Sequence, residues 1–446
     1  MDNNPDYYFL PSHPGFTCID PLGIVDKENP LLWTVISTAI QKFRHEDQAL
    51  SQLPRLIEDL SYSVHSTGLA NTEFLETFLL DVQGDGVLDN VLSAALDLPK
   101  LFPSHSIPYL SLAHPSLTLS PQQIRCLLAH QTLNTLRNPR GNLWGCTFVS
   151  WYSSPQPLAT AVSGYLDTLF QYFGIPLDPA LTVTYEFTSV PINGDQVNFR
   201  DDERLFQHLQ IEATTSDSTP FPYQGTKCVL VSSNQSPGFG SACTQEELVT
   251  AACPALLPLG ALMVSPPVPA DAAIVAHGHH YVSSWAGQGR IARLIGPLRK
   301  QTLMFMLVDA SELDVYEGST ENGLADLQPS ILARDVHKAF VGMSAVKKRG
   351  VNDVTSPLWG AGAFGGNPLV KILVLGVAAA RTGVVVRVLV NDDISLSLDE
   401  KQANLLDVLT TSTEKSSTLT VKDILNILQT SRDLPTIVES LTTRPL

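Results

Sequence analysis

The stretch Lys227-Cys228-Val229-Leu230-Val231-Ser232-Ser233-Asn234-Gln235-Ser236-Pro237-Gly238-Phe239-Gly240-Ser241-Ala242-Cys243-Thr244-Gln245-Glu246-Glu247-Leu248 holds an apolar run, a loop of small residues and a helix start, in that order. A short, bounded apolar run suits a strand buried on both faces, and strand–loop–helix is the repeating unit of α/β proteins. Outward from it, β-rich runs recur at Thr182-Val183-Thr184-Tyr185, Ala273-Ile274-Val275, Leu303 to Val308 and Val384 to Val390, with helical segments between them. The alternation predicts a largely buried, mixed central sheet in a three-layer α/β/α domain.

Toward the amino terminus the period changes. Leu32-Trp33, Ile36, Ala39-Ile40 and then Leu53, Leu56-Ile57, Leu60 recur at helical spacing. Ser120-Pro121-Gln122-Gln123 reads as N-cap, N1 proline and capping box ahead of Ile124, Leu127 and Leu128, and a further helix ends at Gly174. The expected organisation is an all-α region over residues 1–175 followed by the α/β part over 176–446, whose tail beyond Leu396 forms helices. A proline-rich loop over 254–269 joins a helix to the next strand.

Composition narrows the function. With 44% apolar and 16% charged residues, disordered, collagen-like and coiled-coil classes are excluded. A net charge of -16 argues against a general grip on nucleic-acid backbones, and no sequence-specific nucleic-acid contact is expected. Six scattered cysteines form no C-x-x-C pair and read as reduced thiols. The first residues lack a basic and apolar leader, so an intracellular site, nucleus or cytoplasm, is expected. Leu369 to Val390, the most apolar stretch, is interrupted by Lys371, Arg381, Thr382, Gly383 and Arg387; it reads as helix–turn–strand, and no membrane association is expected.

The chemistry concentrates in two loops. Ahead of Gln245, the small residues Gly238, Gly240 and Ser241 admit a ligand to the backbone, and the helix start behind them presents free N–H groups to an anion. Glu246 and Glu247 beside an anion are costly unless one carboxyl is held neutral to do acid chemistry. The alternative is that Thr244-x-x-Glu247 is a capping box and Glu246 ordinary first-turn charge. The second loop, Trp359-Gly360-Ala361-Gly362-Ala363-Phe364-Gly365-Gly366-Asn367-Pro368, also opens a helix and forms a second anion cradle, so the pair suits a diphosphate. Phe364 is otherwise a core plug.

These residues resemble the poly(ADP-ribose) glycohydrolase family. Gln245-Glu246-Glu247 resembles its signature triplet, and Trp359-Gly360-x-Gly362-Ala363-Phe364-Gly365-Gly366 its second hallmark. Leu119 to Ala129, Ser284-Trp285-x-Gly287, Leu307-Val308-Asp309-Ala310 and Lys338-Ala339-Phe340-x-Gly342 follow the family's order. The resemblance implies a macrodomain preceded by a helical accessory domain, and hydrolysis of ribose–ribose O-glycosidic bonds in poly(ADP-ribose) carried on modified proteins, in the DNA damage response. Glu247 is then the catalytic acid and Glu246 the ribose-orienting residue. Gln245, Gly238, Gly240, Ser241, Trp285, Gly362, Ala363, Phe364, Gly365 and Gly366 bind substrate. No metal or cofactor is implied, and a monomer is expected.

The sequence also departs from the family. Ser236-Pro237-Gly238 stands where three glycines are usual, Lys227 to Gln235 contain no acid, and Gln288 replaces an aromatic, leaving the adenine to Trp285 or Arg290 unless Trp285 is core. These departures leave a second reading, a catalytically impaired ADP-ribose-binding protein. His277, His279 and His280 read as loop histidines without metal-ligand spacing, Asp81-x-Gln83-x-Asp85 lacks the bidentate Glu of a calcium loop, and Lys347-Lys348-Arg349 reads as a solvated basic triplet.

Overall fold

Unbroken apolar runs become the strands buried on both faces, and the capped segments become the helices. In the computed structural model, described for residues 5–25, 27–46, 48–65, 70–82, 86–137, 148–154, 159–191, 200–215, 220–287, 289–314, 324–391 and 418–443, the strands are β1 Tyr7–Phe9, β2 Ser106–Pro108, β3 Ser116–Leu119, β4 Val183–Ser189, β5 Leu209–Thr214, β6 Cys228–Ser232, β7 Ala272–Ala286, β8 Arg293–Val308, β9 Asp353–Ser356 and β10 Val385–Asn391. The helices are α1 Leu32–His45, α2 Leu53–His65, α3 Glu73–Leu79, α4 Val87–Leu96, α5 Leu98–Leu101, α6 Pro121–Thr132, α7 Val149–Ser153, α8 Ala159–Gly174, α9 Gln245–Ala252, α10 Leu257–Leu262, α11 Pro329–Lys348, α12 Pro368–Thr382, α13 Val421–Thr430 and α14 Leu434–Thr443.

β3 to β10 form one eight-stranded sheet in the order β3-β4-β7-β8-β6-β9-β10-β5. β6 pairs in parallel with β8 (Val229 opposite Phe305) and β10 with β5 (Val386 opposite Leu209). Neighbours β7 and β8 are joined by only Gly287 to Ala292, a link too short for a parallel crossover, so the sheet is mixed as expected. Residues of both parities on β6 and on the second half of β8 are buried, so both faces are covered.

The chain forms two compact units that interleave in sequence: residues Met1–Tyr185, Ser236–Pro267 and Gly278–Gln301, and residues Glu186–Gln235, Val268–His277 and Thr302–Leu446. The first holds α1 to α10. Its α6 starts on the expected capping box, Ser120 Oγ accepting the Gln123 N–H while the Gln123 side chain accepts the Ser120 N–H. The region is not purely helical, for β1 and β2 pair there (Tyr8 opposite Ile107). In the second unit α11 and α12 pack on the sheet around a core that includes Leu230, Met306, Val308, Val341, Leu373 and Val388. Gly342 is required because a Cβ there would lie 2.8 Å from Met306 Sδ and Val308 Cγ1. α12 begins at Asn367, whose Oδ1 accepts the N–H of Leu369 and Val370, and stops at left-handed Gly383.

Two expectations change. β7 runs through the histidines, which are strand residues and not loop residues; polar side chains and a glycine interrupt the apolar run without ending the strand. The 254–269 segment is not all loop, since Leu257–Leu262 is helical. Of the expected tail helices, α13 and α14 are present, and 396–417 lie outside the described residues.

Candidate active site

The triplet opens α9, and the capping box expected at Thr244-x-x-Glu247 is present. Thr244 is the N-cap: its Oγ1 accepts the Glu247 N–H at 3.4 Å, and Glu247 Oε2 accepts the Thr244 N–H at 3.0 Å. That uses one carboxylate oxygen. Glu247 is 1% exposed, and its other oxygen, Oε1, is buried with no hydrogen-bond partner among the described residues. Burial pushes the carboxyl pKa up, opposed by the amides of Thr244, Cys243 and Ala242, and burial prevails. Cys243, immediately before the cap, takes a left-handed backbone (φ 55°) that turns the loop into the helix.

Glu246 is also buried, and its Oε1 accepts the Gly238 N–H at 3.0 Å. The Gly238 amide is therefore committed inside the protein, which corrects the expectation that Gly238 binds substrate through its backbone N–H, and Pro237 has no N–H to offer. The loop is braced from behind: a Cβ on Gly260 of α10 would fall 1.5 Å from the Pro237 carbonyl oxygen. Phe239 is buried against Phe148 and Trp151, and Trp151 Nε1–H donates to the Gly240 carbonyl at 3.0 Å. Ser241 and Gln245 are partly exposed at the helix mouth.

Trp285 presents no face to a ligand. It is fully buried, its ring centroid 5.3 Å from that of Tyr165 and its Nε1–H donating to Ser283 Oγ at 2.9 Å. Gly164 of α8 lies so near that a Cβ would meet the Trp285 Cη2 at 2.5 Å. The core alternative is what the structure contains, and stacking on adenine is corrected accordingly. Gln288 and the side chain of Arg290 lie outside the described residues.

In the second unit the glycine loop folds on itself. Gly365 N–H donates to the Gly362 carbonyl and Gly366 N–H to the Gly360 carbonyl, each at 3.0 Å, while the N–H groups of Leu313 and Asp314 donate to the Phe364 carbonyl at 2.8 and 3.2 Å. Gly360 and Gly365 have φ of +70° and +68°, conformations suited to glycine. Gly362, Ala363 and Gly365 are exposed, and Phe364 is partly buried against the core. Gly366 differs from the expected ligand-facing glycine: it is buried, and a Cβ there would lie 2.3 Å from Lys371 Cε.

Beneath the loop is a set of ions that sequence reasoning did not single out as a site. Lys371 Nζ, 1% exposed, sits 2.9 Å from Asp326 Oδ1 and 2.5 Å from Asp335 Oδ2. Asp335 Oδ1 also accepts from Arg334 at 2.8 Å and from the Ser311 N–H and Oγ–H at 3.0 and 2.8 Å. Arg334 pairs with Asp309, and Lys338 Nζ lies 2.5 Å from Asp309 Oδ1. Burial lowers the Lys338 pKa despite Asp309, and for Arg334 the two aspartates outweigh burial and raise it. The available signal was a lysine inside an otherwise continuous apolar helix run, since a charge there requires a buried counter-ion.

Other candidates resolve structurally. His280 is buried with Nδ1 3.4 Å from Cys253 Sγ, and among the described residues no cluster suits a metal ion. Lys347 Nζ donates to the Gly383 carbonyl and Asn352 Oδ1, and Arg349 pairs with Glu186, so the basic triplet is largely engaged within the protein. Among the described residues no helix is long and apolar enough to cross a membrane.

Two family models match the chain: residues 84–186 the helical domain of poly(ADP-ribose) glycohydrolase, and residues 210–397 its macro-domain fold, together well over half of the sequence. Among solved structures, the chain is similar to the poly(ADP-ribose) glycohydrolase of Thermomonospora curvata (13% identity, 73% of this chain and 98% of that one, TM-score 0.31). It is also similar to that of Deinococcus radiodurans in complex with ADP-ribose (12% identity, 52% of this chain and 94% of that one, TM-score 0.32). No curated protein matches.

Proposed function

The chain belongs to the poly(ADP-ribose) glycohydrolase family, hydrolases of the glycosidase class, and from that premise we propose that Glu247 is the general acid and base with which it releases ADP-ribose from the polymer. The observation that carries this reading is the division of labour between its oxygens. Oε2 is tied to the helix cap, while Oε1 is buried, unpartnered and part of a carboxyl whose proton is held above the usual range. A neutral acid in that state gives its proton to the leaving ribose hydroxyl as the glycosidic C–O bond breaks and an oxocarbenium-like centre develops. The resulting carboxylate then takes a proton from the attacking water, restoring the acid. Ser241, Gln245, Gly362, Ala363, Phe364 and Gly365 are the substrate-contacting residues of this reading. Residues 1–175 are its accessory domain and 176–446 its catalytic macrodomain.

Glu247→Gln tests it with little disturbance, because the amide keeps an oxygen for the Thr244 N–H. Release of ADP-ribose from poly(ADP-ribose) should fall by about 10²- to 10⁴-fold, with melting temperature and ADP-ribose affinity near those of wild type. Equal turnover in both proteins returns Glu247 to a capping role alone.

The hydrogen bond that the Gly238 N–H donates to Glu246 Oε1 favours a second reading, an ADP-ribose-binding protein without turnover, because it occupies an amide and a carboxylate oxygen that a substrate would need. Wild-type protein that binds ADP-ribose and releases none from the polymer identifies that case.

A further inference from the structure

We infer that Lys371 and Asp326 act as a positioning clasp that fixes the shape of the 360–366 loop and thereby its contact with substrate. The inference rests on the reading that this loop binds ADP-ribose. Lys371 lies within the first turn of α12, and its stem fills the space beneath the loop. A Cβ on Gly366 would meet Lys371 Cε at 2.3 Å, and one on Gly360 would meet it at 3.2 Å. Gly366 therefore admits the lysine, while Gly360 is kept a glycine first by its φ of +70° and by Ala310, whose Cβ an added Cβ would meet at 2.5 Å; Gly362, Ala363 and Gly365 lie on the outer side.

The ammonium contacts two separate chain segments, at Asp326 and at Asp335. Through Asp326 it reaches the loop's end, for Asp326 Oδ2 accepts the Asn367 N–H at 2.7 Å while Oδ1 faces Lys371 Nζ. Through Asp335 it reaches Ser311, and the segment just beyond, Leu313-Asp314, donates both of its amides to the Phe364 carbonyl. The loop is thus held at its tip by 313–314 and at its base by 326 and 371, with one buried cation common to both. None of these side chains reaches the outer surface of the loop, so they act through it: Asp326, Asp335 and Lys371 are all under 5% exposed. Ions kept at this desolvation penalty are well suited to fixing one geometry.

The test pairs a ligand-free readout with a binding readout on the full chain. In Lys371→Met, amide hydrogen exchange over 360–367 should quicken while the strands of the sheet keep their protection. ADP-ribose affinity should fall by between about tenfold and a hundredfold, with KM for the polymer rising and kcat held within about twofold. Because removing one member of a buried pair can unfold a protein, Asp326→Asn serves as the second variant: it leaves Lys371 paired with Asp335 and weakens the ties of Asp326 to Lys371 and to the Asn367 N–H. It should show the same pattern at smaller size. Unchanged exchange over 360–367 in a folded variant overturns the clasp, as does faster exchange with unaltered ADP-ribose affinity. A wild-type protein that binds no ADP-ribose overturns the functional reading of the loop, a result the exchange measurement distinguishes from failure of the clasp.

Discussion

At the scale of single residues, Glu247 ties a functional reading to a stability measurement. A carboxyl whose pKa is raised on folding keeps its proton at a pH where the unfolded chain has lost its own. Its contribution is complete below the unfolded value, 4.5, and is lost as pH rises through the folded one. Wild type should therefore lose stability relative to Glu247→Gln on going from about pH 4 to about pH 8, read as the difference between their melting temperatures at each pH. A difference that does not change with pH would mean that the carboxyl titrates normally. Sequence alone made the cap at Thr244 legible, because a capping box is a local signal, but it offered cap and acid as alternatives. That one side chain does the first with one oxygen and leaves the other buried is a matter of burial, which depends on residues distant in the chain.

At the scale of elements, the glycine loop separates what is local from what is not. Its place ahead of a helix, the Asn367 cap and the Pro368 start were all readable from residue types, and α12 begins where they place it, whereas β9 before it was not read from the sequence. Which glycine serves which neighbour was not readable, since Lys371 reaches back under the loop from the helix that follows. The distinction is measurable. Gly366→Ala pushes a methyl into Lys371 Cε and the Gly360 carbonyl and should cost about 1–3 kcal/mol in denaturant unfolding. Gly362→Ala meets nothing within 4 Å and should stay within about 0.5 kcal/mol of wild type. The reverse order would mean that the loop is not packed as described. The same reasoning explains Trp285 and His280: an aromatic in a glycine-punctuated segment and a histidine among polar neighbours both look surface-like until the neighbours, here Gly164, Tyr165 and Cys253, are in place.

At the scale of the whole molecule, charge sets the approach of substrate. The chain carries -16, and poly(ADP-ribose) is itself a polyanion through its diphosphates, so long-range forces oppose their meeting. Raising salt shortens the range of that repulsion, from about 30 Å at 0.01 M to about 10 Å at 0.1 M. On the proposed activity, kcat/KM for long polymer should rise with added salt over that interval, opposite in sign to a protein held on a nucleic acid by counterion release. A steep fall would reveal a local cationic surface that outweighs the net charge.

The interleaving of the two compact units has a consequence during synthesis. The first unit draws on residues as far as Gln301 and the second on segments from Glu186 onward, so neither is a continuous piece of the chain. A ribosome that has released residues 1–185 has not yet delivered the α9 segment or the Gly278–Gln301 segment that complete the first unit. The surfaces of α6 and α8 that meet α9, α10 and the Gly278–Gln301 segment stay uncovered until roughly the last third of the polypeptide is being made. At about 5–20 residues per second that delay lasts several seconds or more, a period in which the first unit lacks segments that complete it, and one that no folding experiment on the finished protein would reveal.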